Sequence, residues 1–212
     1  MKLLFITATN TNVGKTYTSL QLIKKLSYQG IKVGVCKPIE TGIKDVPLDA
    51  QALLCGVKKY NHQFNSLTPE DITAFIFKLP AAPYCADTNH TISIDKIKEK
   101  IDELSRKCDL LIVEGAGGVL VPITDNYYMI DLISELNALT LLITPSRLGC
   151  INETLLSMEA LKKRNIDFDW CVNLHEDKES FAEVTQPFYD TTFPNWWSLQ
   201  EGLDSFIDSI IG

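Results

Sequence analysis

Gly14, Lys15 and Thr16 are the residues of this sequence whose types and spacing most clearly predict chemistry. They follow an apolar run at residues 3–6 and a polar loop, and residues 17–26 then carry apolar side chains at helical spacing. A loop that joins a strand to a helix presents backbone N–H groups and the positive end of the helix dipole to an anion. In such a loop the glycine lets the backbone approach phosphate groups, the lysine contacts the outer phosphates and the threonine hydroxyl ligates Mg²⁺. We therefore predict a phosphate-binding loop here.

The loop matches only part of the strict phosphate-loop pattern. That pattern has glycine five residues before Gly14, where this chain has Thr9, and the preceding residue is Ala8. A chance Gly-Lys-Thr at the start of a helix is the alternative interpretation. The apolar run before the loop and the helical periodicity after it favour the phosphate loop.

Glu114 follows a second apolar run, at residues 110–113, and precedes the small residues Gly115–Gly118. Such a run predicts a strand that is buried on both faces, as the central strands of a parallel sheet are. An acidic residue at the end of this strand, facing a phosphate loop, is a candidate second ligand for Mg²⁺, and the glycines let backbone amides approach a bound molecule. A glycine turn with an incidental glutamate is the alternative.

Lys37 lies at the end of a strand predicted over residues 31–36. Open α/β sheets bind ligands at the carboxyl ends of their strands, so a lysine at this position is a candidate ligand-binding residue. It could equally be an ordinary charge at the edge of the sheet. A short helix is predicted over residues 45–57, and both Asp45 and Asp49 could face the phosphate loop.

Two later strands also end at candidate site residues. The turn Gly149–Asn152 follows a strand predicted over residues 139–144 and precedes a helix that extends to Leu161. Its free N–H groups could bind an anion or simply begin the helix. A strand predicted over residues 168–172 ends at Asn173, whose amide carries the paired donor and acceptor needed to read a base edge.

The remaining segments carry fewer chemical signals. Residues 60–91 contain three prolines and predict an irregular functional segment or partial lid. Residues 94–107 predict an amphipathic helix with a solvated face, and an aromatic tail precedes a final amphipathic helix over residues 199–211. The sequence contains no internal repeat, low-complexity tract or flexible linker, so we expect one domain over residues 1–212.

Composition and charge exclude several functional classes. The 212 residues are 45% hydrophobic and 22% charged, which is ordinary for a globular protein with a full core. A net charge of −7 argues against a general nucleic-acid binder, which would need a basic face. No apolar run approaches the ~18 residues of a membrane span, and the N-terminus is typical of a core strand rather than a signal peptide.

The six cysteines are scattered without a C-x-x-C pair. This pattern is typical of buried, reduced thiols rather than of a disulfide framework or a zinc site. The three histidines are isolated and predict no chemistry. We therefore expect a cytoplasmic protein with no nucleic-acid or membrane partner.

Four motifs together resemble the dethiobiotin synthetase family, which acts with ATP in biotin synthesis. Their order and spacing extend from the start of the chain to about Asn173, whereas about the last forty residues match the family poorly. The motifs are Thr9–Thr16 (TNTNVGKT), Lys37–Gly42 (KPIETG), Val113–Gly118 (VEGAGG) and Leu148–Asn152 (LGCIN).

The resemblance implies a single-domain P-loop NTPase fold of the α/β class, with a mostly parallel central sheet and helices on both faces. It also implies a homodimer that binds 7,8-diaminononanoate across the subunit interface, with ATP as co-substrate and Mg²⁺ as cofactor. One amine of this diamine would take up CO₂ as a carbamate, and ATP would phosphorylate the carbamate. The second amine would then close the ureido ring of dethiobiotin.

The same resemblance implies roles for individual residues. Lys15 and Lys37 would be catalytic, with their ammonium groups on either side of the transferred phosphoryl group. Mg²⁺ would be bound by Thr16, Asp49 and Glu114, and the family's Asp-Ala-x-x-Leu setting selects Asp49 over Asp45. The expected nucleotide-binding residues are Asn12, Val13, Gly14, Lys15, Thr16, Tyr17, Asp49, Glu114, Gly115, Ala116, Gly117 and Asn173. The expected substrate-binding residues are Thr11, Lys37, Thr41, Gly149, Cys150, Ile151 and Asn152, the last four from the partner subunit.

The chain also departs from the family pattern. Ala8 stands where the family usually has glycine, and Asn12 stands where an acidic residue is frequent. Asn173 matches the family's base-reading asparagine, but the residues after it do not follow the usual continuation, so the base preference stays open.

A nucleotide switch of the MinD/ParA type is the alternative function. Such proteins share the strand–loop–helix start, but they have an additional lysine early in a glycine-richer loop, and their membrane-binding members end in a basic amphipathic helix. Residues 9–12 of this chain contain no lysine, and the last predicted helix contains Glu201, Asp204 and Asp208. These features favour the ring-forming ligase.

Overall fold

Strands and helices alternate along most of the chain. The computed structural model describes residues 2–211. Its strands are β1 (Lys2–Ala8), β2 (Val33–Cys36), β3 (Ile39–Thr41), β4 (Phe75–Phe77), β5 (Leu110–Glu114), β6 (Pro122–Thr124), β7 (Tyr127–Tyr128), β8 (Leu139–Pro145), β9 (Asp169–Asn173) and β10 (Trp197–Ser198). Its helices are α1 (Lys15–Tyr28), α2 (Leu48–Lys58), α3 (Pro83–Ala86), α4 (Ile94–Ser105), α5 (Met129–Leu136), α6 (Cys150–Lys163), α7 (Lys178–Ser180), α8 (Gln186–Thr192) and α9 (Leu199–Ile211). Within residues 2–211, no helix combines the length and the apolar character needed to cross a bilayer.

Six strands form a parallel sheet in the order β10–β9–β8–β1–β5–β2. All residues from Leu4 to Ala8 in β1 are buried, and so are all residues of β5. Because successive side chains of a strand point to opposite faces, both faces of the sheet are covered. α1 packs with α2 and α9, whereas α4 packs on β2 and β5 and α6 packs on β8. The predicted α/β fold, with a parallel central sheet and helices on both faces, is confirmed.

The parallel register brings the carboxyl ends of the strands to one edge of the sheet. Ile6 of β1 pairs with Glu114 of β5, and Cys36 of β2 pairs with Val113 beside it. On the other side of β1, β8 continues to Pro145, which pairs with Asn173 of β9. The loops that carry the four sequence motifs therefore emerge together, at the edge where open α/β sheets bind ligands.

The longer predicted elements are confirmed with small differences at their ends. The strands predicted at 3–6, 31–36, 110–113, 139–144 and 168–172 correspond to β1, β2, β5, β8 and β9. The helix predicted over residues 45–57 was placed too early, because α2 begins only at Leu48. Pro47 accounts for the difference, since its ring disfavours helical backbone at the preceding Val46.

The prediction of an irregular segment over residues 60–91 is wrong in part. This segment contains β4, α3 and two short 3₁₀ helices, at His62–Phe64 and Glu70–Ile72. β4 pairs in parallel with β3, forming a separate two-stranded sheet. Strands of three residues are too short for their alternation of apolar and polar side chains to be recognised in a sequence.

The prediction of buried cysteines is wrong at three positions. All six are free thiols, but Cys55 and Cys85 are exposed and Cys108 is only partly buried. Cys55 is exposed because α2 turns Leu54 and Val57 toward the core, which leaves position 55 on the opposite face of the helix.

The aromatic tail packs against the outer part of the sheet. Tyr189 of α8 is fully buried, and its ring meets those of Trp170 and Phe181 edge-on, with centroids 5.5 and 5.7 Å away. Trp170 belongs to β9, so the tail extends the hydrophobic core beyond the long central strands.

Candidate active site

The predicted phosphate loop joins the end of β1 to the start of α1. Gly14 caps α1 with a φ of 104°, and Asn12 within the loop has a φ of 60°. Both values lie in the left-handed region, which glycine adopts readily and asparagine more readily than most residues. A side chain at position 14 would also collide with Nδ2 of Asn173. The loop conformation thus accounts for glycine at position 14 and for asparagine at position 12.

Asn173 lies directly beneath this loop and is buried. Its Nδ2 donates a hydrogen bond to the carbonyl of Val13 at 3.0 Å, and its Oδ1 accepts one from Nε2 of Gln200 at 3.0 Å. Both ends of the side-chain amide are therefore engaged within the protein. Direct reading of a base by Asn173 stays a prediction, and it would require one of these bonds to be exchanged.

Four polar side chains converge beside the loop, and we call Thr16, Lys37, Asp49 and Glu114 the edge cluster. Nζ of Lys37 lies 2.7 Å from Oε1 of Glu114 and 2.9 Å from Oδ2 of Asp49. Oγ1 of Thr16 lies 2.9 Å from Oε1 of Glu114 and 3.2 Å from Oδ1 of Asp49. Asp45, which the sequence offered as an alternative to Asp49, is exposed. The fold thus brings together residues from α1, α2 and the ends of β2 and β5.

Glu114 is completely buried, and both of its oxygens have partners. Oε2 accepts a hydrogen bond of 2.8 Å from the hydroxyl of Ser19, while Oε1 faces Lys37 and Thr16. A buried carboxylate is tolerated only when it is paired and hydrogen-bonded, so Ser19 supports the edge cluster. Ser19 is not among the residues predicted for the site, although its position three residues after Thr16 places both on one face of α1.

The charges of the edge cluster stabilise one another. Burial alone would lower the pKa of Lys37, which is 2% exposed, but the charges and hydrogen bonds of Glu114 and Asp49 outweigh burial and raise that pKa. Burial acts to raise the pKa of Asp49, whereas Lys37 and the hydrogen bond from Thr16 bring it below its ordinary value. Lys37 is therefore a protonated cation at neutral pH.

Lys15, at the start of α1, adds a second ammonium group. Its Nζ donates to the carbonyl of Asn10 at 3.1 Å, and the residue is 7% exposed. Burial, followed by repulsion from Lys37, lowers the pKa of Lys15 to about 8. Two buried cations that repel each other form a site that a polyanion such as a triphosphate would neutralise.

Glu40 is a second site residue that lies outside the predicted set. Its carboxylate accepts hydrogen bonds from the backbone N–H groups of Asp49 and Ala50, at 2.9 and 2.8 Å, in the first turn of α2. Burial raises the pKa of Glu40, although these two hydrogen bonds oppose the shift. In the sequence, Glu40 is marked only by its place in the Lys37–Gly42 motif. A side chain that caps a helix from another element has no fixed distance in sequence from that helix, so the pattern does not reveal it.

The edge cluster opens into a cavity of about 630 Å³. Predicted site residues that line it are Thr11, Asn12, Gly14, Lys15, Thr16, Tyr17, Lys37, Thr41, Asp49, Ala116 and Gly117. The segment Pro80–Pro83, together with Ile39 and Val121, forms an apolar part of the wall. A cavity with cations on one side and apolar groups on another can hold an anionic ligand beside a hydrocarbon chain.

The turn Gly149–Asn152 does not line this cavity. Gly149 and Asn152 are exposed, whereas Cys150 is buried, so the turn lies at the surface with Cys150 directed inward. The prediction that all its N–H groups are free is wrong at Cys150, which donates to the carbonyl of Arg147 at 3.1 Å. This bond closes a β-turn immediately before α6, where a helix start alone would leave the N–H group unpaired.

The oxygen atoms of the edge cluster are a donor set that Mg²⁺ prefers. This ion commonly binds one or two carboxylates and completes its coordination with phosphate and water oxygens. Asp49 and Glu114 supply two carboxylates, and Thr16 supplies a hydroxyl within 3.2 Å of both. Across residues 2–211, no group of three or more His, Cys, Asp or Glu side chains could hold a metal ion. Two carboxylates and a hydroxyl therefore fit Mg²⁺ that takes its other ligands from phosphate and water.

Sequence comparison finds close relatives along the whole chain. A family model described as an AAA domain matches residues 2–172. The ATP-dependent dethiobiotin synthetase BioD of Sulfurovum sp. (strain NBC37-1) is 62% identical over 210 residues, which cover 99% of this chain and 100% of that relative. The enzyme of the same name from Wolinella succinogenes is 36% identical over 214 residues, which cover 100% of this chain and 99% of that relative.

Solved structures of lower identity share the fold. The MinC:MinD cell division complex of Aquifex aeolicus matches with a TM-score of 0.55 and 16% identity, over 99% of this chain and 86% of that chain. A ParA family ATPase from Chlorobium tepidum matches with a TM-score of 0.55 and 12% identity, over 96% of this chain and 89% of that chain. At these identities the likeness concerns the fold alone.

Replacement of Ser19 by alanine tests the support of Glu114. The S19A variant leaves Oε2 of Glu114 without its hydrogen bond in the interior, so we expect its free energy of unfolding to fall by about 1–3 kcal/mol in a denaturant titration. Ser27→Ala is the matched control, because Ser27 lies on the same helix and its buried hydroxyl has no hydrogen-bond partner among the described residues. Equal losses in the two variants would show that the Ser19–Glu114 bond adds no stability.

Proposed function

Because this chain belongs to the ATP-dependent dethiobiotin synthetase family, we propose that it converts 7,8-diaminononanoate, CO₂ and ATP into dethiobiotin, ADP and phosphate. The observation that carries this proposal is the ammonium group of Lys37, which lies in the same cavity as the predicted phosphate loop. A cation at this position suits a substrate that becomes an anion before it accepts a phosphoryl group.

The proposed reaction has three steps. One amine attacks the carbon of CO₂ and loses a proton, which gives a carbamate. A carbamate oxygen then attacks the γ-phosphorus of ATP, and the bond from that phosphorus to the bridging oxygen breaks to release ADP. Finally, the second amine attacks the carbonyl carbon of the carbamic–phosphoric anhydride and loses a proton, and phosphate leaves as the ring closes.

Lys37 has the central role in this proposal. Glu114 and Asp49 raise the pKa of Lys37, so its ammonium group is charged when the substrates enter the cavity. Lys37 can exchange one of its carboxylate partners for the carbamate, which it would hold in line with the γ-phosphate. Phosphoryl transfer depends mainly on such positioning and on charge neutralisation, since the nucleophile needs little covalent help.

Lys15 would neutralise the phosphoryl group from the other side. Backbone N–H groups of residues 12–17 would bind the phosphates together with Lys15, and those of Gly115, Ala116 and Gly117 would approach the nucleotide from the end of β5. Negative charge from the phosphates would raise the pKa of Lys15 and keep it protonated. Asn173 would act on the nucleotide at the base or through its bond to Val13.

Thr16, Asp49 and Glu114 would hold Mg²⁺, and the fit of their oxygen donors supports this assignment. Bound Mg²⁺ would supply charge neutralisation of the β- and γ-phosphates. The residues' own contribution is to keep oxygen atoms of three side chains close together at the wall of the cavity. Asp49 remains the most accessible of them, with 46% of its side chain exposed.

The diamine would lie between this cavity and a second subunit. Thr11 and Thr41 line the cavity and can hydrogen-bond the substrate or its carbamate. The turn Gly149–Asn152 lies outside the cavity, so its N–H groups could capture the substrate carboxylate only from the partner of a homodimer. Leu148, next to this turn, is 88% exposed, and a contact between subunits here would cover it.

A reducing compartment suits this chain. All six cysteines are free thiols, and two of them, Cys55 and Cys85, are exposed to solvent. Exposed thiols persist where glutathione and thioredoxin keep them reduced, which favours the cytoplasm as the site of the reaction.

The MinD/ParA-type switch has less support. Its structural relatives share only the fold with this chain. The last helix, α9, buries Leu203, Phe206 and Ile207 within the protein, and Asp204 pairs with Lys25 of α1. Its apolar face is therefore used internally and is not presented to a membrane.

Incubation of the purified protein with 7,8-diaminononanoate, bicarbonate, Mg²⁺ and ATP tests the proposed function. We expect dethiobiotin and ADP in equal amounts, measured by mass spectrometry and a coupled ADP assay. ADP release that does not depend on the diamine, with no dethiobiotin, would instead identify a nucleotide switch.

Replacement of Lys37 by alanine should separate binding from catalysis. We expect nucleotide affinity to stay largely intact and turnover to fall by ~10² or more, because the transition state loses a charge that Lys15 cannot replace. Calorimetry measures the affinity, and the dethiobiotin assay measures turnover. The control is Lys98→Ala, which removes an exposed ammonium group that pairs with Glu135. If the K37A variant turns over about as fast as this control, Lys37 has no role in the mechanism.

Replacement of Glu114 by glutamine should weaken nucleotide affinity and its dependence on Mg²⁺ together, because the amide removes one negative ligand. Calorimetric titration of ADP at several Mg²⁺ concentrations measures both quantities. Glu135→Gln is the control, since Glu135 forms an exposed pair with Lys98 at 2.5 Å. An E114Q variant that keeps the full Mg²⁺ dependence would contradict the assignment of Glu114 as a metal ligand.

A further inference from the structure

Glu40 connects two elements at the edge of the cavity. It lies in β3, and its carboxylate reaches the first turn of α2, where Oε1 accepts from the N–H of Asp49 and Oε2 accepts from the N–H of Ala50. Glu40 is only 5% exposed and lines the cavity together with Lys37 and Asp49. It is thus a buried carboxylate beside the edge cluster to which none of the roles above is assigned.

The start of α2 depends on this carboxylate. A helix leaves its first N–H groups without intrahelical partners, and a side chain at the N-cap position usually accepts from one of them. In α2 the N-cap position is occupied by Pro47, which makes no such bond. Glu40 supplies the missing acceptor from another element, and its negative charge also complements the helix dipole.

The same helix turn carries Asp49. The N–H group of Asp49 is one of the two that Glu40 accepts from, and the side chain of Asp49 extends to Lys37 and Thr16. The backbone of Asp49 is therefore fixed on one side while its carboxylate is presented on the other. A shift in the first turn of α2 would move this carboxylate away from Thr16 and Glu114.

We propose that Glu40 is a positioning residue that holds the first turn of α2, and with it the Asp49 carboxylate, in place for Mg²⁺ with a bound nucleotide. This inference rests on the proposed function, which assigns Asp49 to Mg²⁺. Both oxygens of Glu40 are engaged by backbone N–H groups, so the residue acts through Asp49 and is not itself a ligand. Residues that orient a metal ligand commonly change metal affinity when they are replaced, without touching the metal.

Calorimetric titration of ADP into the full-length protein, with and without Mg²⁺, tests the inference. The variants are Glu40→Ala, which removes both acceptors, and Glu40→Gln, which keeps one. We expect the increase in ADP affinity that Mg²⁺ produces to fall by ~10-fold or more in the E40A variant and by less in the E40Q variant. The affinity measured without Mg²⁺ should stay within about twofold of the unchanged protein, because the phosphate loop is untouched.

Asp71→Asn is the matched control. Asp71 is also a carboxylate that holds backbone beside a short helix, since it accepts from the N–H of Thr68 at 2.7 Å, but it does not line the cavity. If Glu40 has a purely structural role, its variants should unfold at a lower temperature, as the D71N variant should. The effect of Mg²⁺ on ADP affinity should then be the same as in the unsubstituted protein. That result would overturn the inference, and so would an equal loss of affinity with and without Mg²⁺.

The outcomes separate this inference from the proposed function. If the E40A variant fails to fold, the E40Q variant decides the question. If the unsubstituted protein forms dethiobiotin and both the E40Q and E40A variants keep the full Mg²⁺ effect, only the role of Glu40 is overturned. If the unsubstituted protein shows the Mg²⁺ effect but forms no dethiobiotin, only the proposed function is overturned. Loss of the Mg²⁺ effect in the variants would still support the positioning role of Glu40. Absence of any Mg²⁺ effect in the unchanged protein would overturn the inference.

Discussion

The ion pair between Lys37 and Glu114 is the interaction on which the site depends. Glu114 is fully buried and Lys37 nearly so, and each lies closer to the other than to any further charge, at 2.7 Å. Such a pair adds little net stability, because desolvation offsets most of the attraction, but removal of one partner is strongly unfavourable. The pair therefore imposes a strict geometry on the ends of β2 and β5, and Asp49 and Thr16 take their positions around it.

Much of this geometry could be predicted from the sequence, because it follows from the parallel sheet. Lys37 and Glu114 each end an apolar strand, and parallel register carries such ends to the same edge as the phosphate loop. Ser19 and Glu40 could not be predicted in this way. The role of Ser19 depends on which face of α1 meets β5, and the role of Glu40 depends on the missing side-chain cap at Pro47. Both depend on how the elements pack and not on the local pattern of residue types.

The choice between Asp45 and Asp49 shows the same limit. Both carboxylates precede or begin a predicted helix, and local propensity does not separate them. The start of α2 at Leu48, after Pro47, places Asp49 in the first turn facing Lys37 and leaves Asp45 in the exposed loop before it. A shift of three residues in a helix boundary, which sequence patterns rarely resolve, therefore decides which side chain can serve the site.

The last forty or so residues carry no recognisable motif, yet they are part of the site's architecture. Gln200 of α9 donates to Oδ1 of Asn173, and Nδ2 of Asn173 donates to the carbonyl of Val13 in the phosphate loop. α9 also pairs with α1 through Asp204 and Lys25. The tail thus braces both the phosphate loop and the helix that follows it. The Sulfurovum relative, 62% identical over 99% of this chain, therefore matches into a segment that has a structural role although it carries no motif.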